Sequence, residues 1–257
     1  MDWDDAFANM VHIPGGAEYP DRWAAQARAF RDSARAEIDL HYGESPRARI
    51  DLFHPDRLAR GTVVFVHGGY WLRFGKSWFS HLAAGPHAAG WAVAMPSYDL
   101  APTVGIPDIT RQIHAAIGAV ADRLPGPLRL AGHSAGGHLV ARMLDPALRA
   151  SWSARIEKVV PISPVADLDP LRNTAMNTDL RLDAETARAE SPVNQPAPAT
   201  PTHVWVGADE RPVFIEQAKA LGAAWDVPVT VEEGRHHFDV IEALAEPNSP
   251  LCRALLD

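Results

Sequence analysis

Along the chain, apolar residues fall into two alternating textures. Six short runs, TVVFVH (62–67), WAVAMPS (91–97), LRLAGHS (128–134), KVVPIS (158–163), HVWVGA (203–208) and VTVEEG (229–234), lack the polar residue at every second position that marks a half-exposed strand. They predict strands covered on both faces. Between them lie helical patterns. DITRQIHAAIGAVADRL puts Ile109, Ile113, Ile117 and Val120 on one face, and PVFIEQAKALGAAW does the same with Phe214, Ala218, Leu221 and Trp225. Strand and helix in alternation specify an α/β fold: a mostly parallel twisted sheet with helices on both faces, binding ligands at the carboxyl ends of its strands.

Three segments depart from that rhythm. AEIDLHY and ARIDLF alternate apolar and polar residues around Gly43-Glu44-Ser45-Pro46, which predicts an antiparallel N-terminal hairpin. Residues 1–35 carry good helix formers after Asp21-Arg22-Trp23 and are expected to pack as an N-terminal helical extension. Residues 165–200 form a long insertion of weak helices with a proline-rich return, a candidate lid. No internal repeat is present, so residues 1–257 are read as one α/β domain.

The run into Gly132-His133-Ser134-Ala135-Gly136 is where chemistry first shows. A strand precedes this G-x-S-x-G and a helix follows it. In that context the glycines permit a cramped turn that lifts the serine hydroxyl above the sheet edge, and the N–H of Ala135 at the helix start is free to meet developing negative charge. A serine hydroxyl needs a base, and the base an orienting acid. Asp209 follows HVWVGA, and His237 follows VTVEEG in the loop Gly234-Arg235-His236-His237-Phe238, so nucleophile, acid and base occur in the chain order this kind of sheet uses. Glu210 is the alternative acid if the turn is shifted by one, and His236 the alternative base.

TVVFVHGGYWLRFGKS presents two glycine-rich turns that compete for one role. Gly75-Lys76-Ser77 looks like the end of a phosphate loop, but five residues separate Gly69 from Gly75 where that loop has four, and bulky aromatics fill the gap. The better reading is an oxyanion loop, in which N–H groups of Gly68, Gly69 and Tyr70 join that of Ala135. His67 is expected to brace this loop. Trp71, Phe74 and Trp78 are expected to wall the substrate site, with packing as core the bland alternative.

His67-Gly68-Gly69-Tyr70-Trp71, Gly132 through Leu139, His237 through Ile241 and the SYDLAP segment at 97–102 together resemble the kynurenine formamidase branch of the α/β-hydrolases, near the hormone-sensitive-lipase-like esterases. The resemblance spans roughly residues 36–245. It implies an α/β-hydrolase fold, a nucleophile, acid and base on Ser134, Asp209 and His237, no cofactor and no metal. It implies hydrolysis of a small acyl amide or ester of an aromatic compound. One departure bears on the substrate: that family often has Pro-Glu-Phe after the acid, where this chain has Pro212-Val213-Phe214.

Composition narrows the alternatives. With 47% apolar and 22% charged residues the chain can bury one substantial core, and a formal charge of −8 without a basic stripe argues against nucleic acid as partner. The acidic start MDWDDAFANM is unlike a secretory signal, and no run of about 18 apolar residues exists to span a membrane; a soluble, cytoplasmic protein is expected. The single cysteine, Cys252, has no disulfide partner and is read as packing. Histidines number 12, yet no H-E-x-x-H or H-x-x-E-H helix presets a metal site. The remaining readings are a short-chain carboxylesterase or thioesterase, and a non-catalytic homologue that binds ligand.

Overall fold

The computed structural model describes residues 1–257. Eight strands run in chain order, β1 (Ala36–His41), β2 (Arg49–Phe53), β3 (Thr62–Val66), β4 (Ala92–Pro96), β5 (Leu128–His133), β6 (Ile156–Ile162), β7 (Val204–Gly207) and β8 (Val229–Glu232). Nine α-helices accompany them: α1 (Trp3–Phe7), α2 (Tyr19–Ser33), α3 (Ala84–Ala88), α4 (Ile106–Arg123), α5 (Ala135–Arg142), α6 (Asn177–Leu180), α7 (Ala184–Glu190), α8 (Pro212–Trp225) and α9 (Pro250–Leu256). The sheet order is β1-β2-β4-β3-β5-β6-β7-β8. β1 and β2 pair antiparallel, as does β2 with β4, and every later pair is parallel. The expected α/β-hydrolase architecture, with its N-terminal hairpin, is therefore present.

The absence of alternation in the central strands has a direct cause. Val64 and Val66 of β3, with Leu128 and Leu130 of β5, enter a core built with Ile109, Ile113 and Ile117 of α4 and Leu139 of α5. Their neighbours Val63, Phe65 and Ala131 enter the opposite core, with Trp23 of α2 and Leu251 and Leu255 of α9. Each parity of the strand thus finds its own apolar layer, and each fully buried aliphatic side chain contributes roughly 1.5–3 kcal/mol. Apolar residues at every position follow from two covered faces.

Register brings the strand ends together. Val66 pairs with Gly132 and His133 with Ile162, so the loops that follow β3, β5 and β6 leave the sheet side by side. The insertion at 165–200 is docked: Leu168, Leu171, Leu180, Leu182 and Ala187 join the α4/α5 core, and the Glu190 carboxylate is bound by Thr110 at 2.7 Å and by Arg142 at 3.1 Å. No helix is long and apolar enough to cross a membrane.

Candidate active site

Ser134 stands between β5 and α5 with φ 56° and ψ −117°. A residue with a side chain adopts this backbone only under strain, at a cost of about 1–3 kcal/mol. The flanking glycines explain what enforces it. A Cβ on Gly132 would lie 2.2 Å from the Gly136 carbonyl oxygen, and one on Gly136 would lie 2.0 Å from that of Val66. The turn is compressed between strand and helix, and the Ser134 N–H is pinned to the Ile162 carbonyl at 2.9 Å. The serine side chain lines the cavity above the sheet.

His237 comes to the same cavity from the loop after β8. Its Nδ1 donates to Glu210 Oε2 at 2.5 Å. This corrects the expected acid. Asp209 is exposed and lies in the turn after β7, tied down only through its backbone N–H to Arg235, whereas Glu210 is turned inward with none of its side chain exposed. The other oxygen of Glu210 accepts from the Gly207 N–H at 2.8 Å and from the Ser163 hydroxyl at 2.5 Å. Three donors hold the carboxylate and leave it no freedom to leave the imidazole. Ser163, at the end of β6 with φ 47°, is a positioning residue that pattern reasoning did not find.

His236 faces elsewhere. Its Nδ1 accepts from the Phe238 N–H at 3.1 Å, and its Nε2 meets the Tyr19 hydroxyl at 3.0 Å, so it ties the loop to α2. His133 lies 4.6 Å from His237, ring centre to ring centre. Burial first, and then the charge of His237, hold His133 well below the ordinary histidine pKa, so it stays neutral beside the other imidazole.

In the loop after β3, Gly68 is pressed against the Ser134 turn: a Cβ there would come within 2.8 Å of the His133 carbonyl and 3.0 Å of Ser134 Cβ. Gly69 has φ 110°, with Arg73's carbonyl oxygen 2.6 Å from where its Cβ would be, so only glycine fits. The N–H groups of Gly69 and Tyr70 find no acceptor in the chain, and Ala135 is the first residue of α5, where an N–H has no helical partner. His67 braces the loop from below. Its ring stacks on Tyr98 at 4.3 Å, its Nδ1 meets the Gly68 carbonyl at 2.8 Å, and burial pushes its pKa down to about 3. Lys76, the residue that imitated a phosphate-loop lysine, is buried in ion pairs with Asp51 at 2.6 Å and Asp39 at 2.7 Å.

The cavity, of about 400 Å³, corrects part of the expected wall. Phe74 lines it. Trp71 is fully buried beneath, edge-on to His138 at 5.0 Å, and Trp78 lies outside it against Phe74. The aromatic lining comes instead from Phe7, Trp23, Tyr70, Phe79 and Phe238. Residues 1–35 therefore supply much of the roof, including Asn9 and Met10, whereas the 165–200 insertion supplies Met176. The roof is fastened by the Tyr70 hydroxyl donating to the Phe7 carbonyl at 2.6 Å and by Arg211 bound to Asp5 at 2.6 Å. No group of three or more His, Cys, Asp or Glu side chains is arranged to hold a metal.

Comparison with known proteins agrees with this architecture. A family model described as the alpha/beta hydrolase fold matches residues 63–194. The chain is 28% identical to kynurenine formamidase of Salmo salar over 248 residues, covering 88% of this chain and 83% of that one, and 28% identical to that of Danio rerio over 247 residues, with the same coverage. Among solved structures, one described as a "putative thioesterase" from Silicibacter sp. TM1040 superposes with a TM-score of 0.98 at 52% identity over 100% of both chains. A thermostable carboxylesterase cloned from a metagenomic library shares the fold, at 19% identity, TM-score 0.70, and coverage of 93% and 97%.

Proposed function

The chain belongs to the α/β-hydrolase fold family, and from that premise we propose that it is a serine hydrolase acting on a formyl or acetyl amide or ester of an aromatic compound, a reading supported by its similarity to proteins named kynurenine formamidase. That it is a hydrolase of esters or amides rests on the family and its relatives; the residues and the substrate are our reading. The observation that carries it is the strained Ser134 opening into the cavity that also holds the Glu210-bound imidazole of His237.

With Nδ1–H committed to Glu210, the His237 lone pair is on Nε2, the tautomer a general base requires. Ser134 Oγ attacks the acyl carbon while Nε2 takes its proton. The oxyanion is met by the N–H groups of Gly69, Tyr70 and Ala135, of which those of Gly69 and Tyr70 have no other acceptor to give up. Nε2 then delivers its proton to the leaving nitrogen or oxygen, and water repeats the sequence on the acyl-enzyme. In the structure the Ser134 hydroxyl is free of intramolecular hydrogen bonds, and the bond to Nε2 is one that substrate closure would complete. Apolar and aromatic side chains dominate the lining, which suits a flat leaving group; ring contacts are worth about 0.5–1.5 kcal/mol each.

A second reading, short-chain esterase or thioesterase, is favoured by the 52%-identical neighbour. Turnover of N-formylkynurenine, an aryl formate, p-nitrophenyl esters from acetyl to hexanoyl and the matching thioesters by one preparation separates them. Amide turnover with a steep fall in kcat/KM beyond acetyl supports the first reading. Ester or thioester turnover that is flat toward hexanoyl, with no amide cleavage, overturns it.

A further inference from the structure

The loop that walls the Ser134 cavity has an outer side. Leu72, Arg73 and Phe74 line both that cavity and a neighbouring groove of about 480 Å³, whose other walls include Arg47, Arg49 and Lys76. Four cations in one groove run against a chain whose net charge is −8. Lys76 is neutralised, because Asp51 and Asp39, the groove's one acidic residue, are bound to it. The arginines are not. Arg47 donates to the carbonyls of Tyr98, at 2.7 Å, and Phe74, and Arg49 to those of Ser45 at 2.8 Å and Ala48 at 3.0 Å. Carbonyls fix a guanidinium in place without cancelling its charge. Arg73 is exposed, and its side chain makes no hydrogen bond or ion pair within the chain. Two anchored arginines and one free one, with no carboxylate partner among them, suit an oxyanion of more than one charge better than a lone carboxylate.

We propose that this groove is a phosphate-binding subsite. It takes the phosphate groups of a substrate whose acyl end enters the Ser134 cavity past Phe74, so the leaving group is a phosphate-bearing thiol or alcohol. For its substrate part alone, the inference rests on the reading of Ser134 as nucleophile and takes the esterase or thioesterase reading of the substrate in place of the aromatic amide. Acyl transfer is unchanged: the bond from acyl carbon to the leaving sulfur or oxygen breaks, and His237 Nε2 returns the proton.

Coenzyme A and pantetheine are the probes, since both carry a thiol on a flexible arm and only the first carries the nucleotide phosphates. Calorimetry on the intact protein should give coenzyme A an affinity at least roughly tenfold above pantetheine, weakening with added salt. Arg73→Gln, which removes no bond within the chain, should weaken coenzyme A by roughly tenfold and leave pantetheine unchanged, with Arg73→Lys intermediate. Equal affinities for the two probes, no binding of either, or coenzyme A binding indifferent to Arg73→Gln, would each overturn the subsite. These measurements need no turnover, so they stand even if Ser134 proves not to be the nucleophile. Acetyl-coenzyme A should then exceed acetyl-pantetheine in kcat/KM by about the same factor. Equal kcat/KM values alongside tight coenzyme A binding would overturn the substrate assignment.

Discussion

Exchanging Glu210 for Gln tests the acid assignment at one atom. The glutamate carboxylate accepts three hydrogen bonds, from His237 Nδ1 at 2.5 Å, Ser163 Oγ at 2.5 Å and the Gly207 N–H at 2.8 Å. A glutamine offers one oxygen and one NH2 in the same place. If the oxygen stays on Gly207 and Ser163, the NH2 faces Nδ1, and the imidazole must move its proton to Nε2 to avoid two opposed donors. Nε2 then has no lone pair for the serine. In other triads the wrong tautomer lowers kcat on the order of 10⁴, which is about 5.5 kcal/mol of transition-state stabilisation at about 1.36 kcal/mol per tenfold. If the amide turns the other way, it opposes the Gly207 donor instead, in a site with no exposed side-chain surface, at about 1–3 kcal/mol of stability. Asp209→Asn is the control: Asp209 is exposed, its anchoring N–H is retained, and kcat should change by less than about twofold. The assay is kcat on the best aryl ester, with circular dichroism and a melting curve for each variant. A near-normal Glu210→Gln beside a crippled Asp209→Asn would refute the reasoning.

Ser134→Ala should abolish turnover and labelling by a fluorophosphonate; persistent labelling would move the nucleophile elsewhere. Ser134→Gly should melt above Ser134→Ala, because glycine relieves the backbone strain at φ 56° by about 1–3 kcal/mol; equal melting would mean the strain is not stored there. Gly136→Ala places a Cβ 2.0 Å from the Val66 oxygen and should destabilise by about 3 kcal/mol or not fold, as read by denaturant titration. Acid should weaken the fold early: burial lowers the pKa of His67 and His138 to about 3 and of His81 to about 4, and that of His133 well down too. Each binds its proton in the unfolded chain below about pH 6.5 but not in the folded one, so stability is full above that pH and falls as pH drops toward the folded values, by about 2 kcal/mol per histidine at pH 5 as an upper bound. Urea titrations should show the proton uptake on unfolding rising from about one at pH 7 to about three to four near pH 5, and an uptake below one near pH 5 would contradict the buried neutral state.

What the sequence made legible is what local pattern controls. β3, β5, β6 and β7 needed only their unbroken apolar runs, and α4 and α8 only the spacing of Ile109, Ile113 and Ile117 or of Phe214, Ala218 and Leu221, because those residues fill the two cores directly. The G-x-S-x-G turn was legible because both glycines answer to a steric demand visible in the pentapeptide itself. The acid was not resolved by this route. A strand end locates a loop, but whether residue 209 or 210 points inward depends on how the turn after Gly207 is rotated, and that is set by Asp209's N–H bonding to Arg235 on the neighbouring loop, 26 positions on in the chain.

The substrate wall failed for a related reason. Tyr70, Trp71 and Phe74 all have positive φ, at 54°, 59° and 70°, so the chain coils through a conformation their side chains disfavour, and Trp71 is sent down onto His138 while Phe74 rises into the cavity. Such torsions persist only where surrounding contacts impose them. One contact lies in the roof, where the Tyr70 hydroxyl donates to the Phe7 carbonyl, 63 residues earlier in the chain. That pairing joins two segments which separately read as a helical extension and an oxyanion loop, and neither carries a local signal of the other. Of the eight residues other than glycine with positive φ, Tyr70, Phe74 and Ser134 line this cavity, and Ser163 bonds the Glu210 that holds its imidazole. Local preference and global fold disagree there, and the tertiary contacts that settle the disagreement also aim the site.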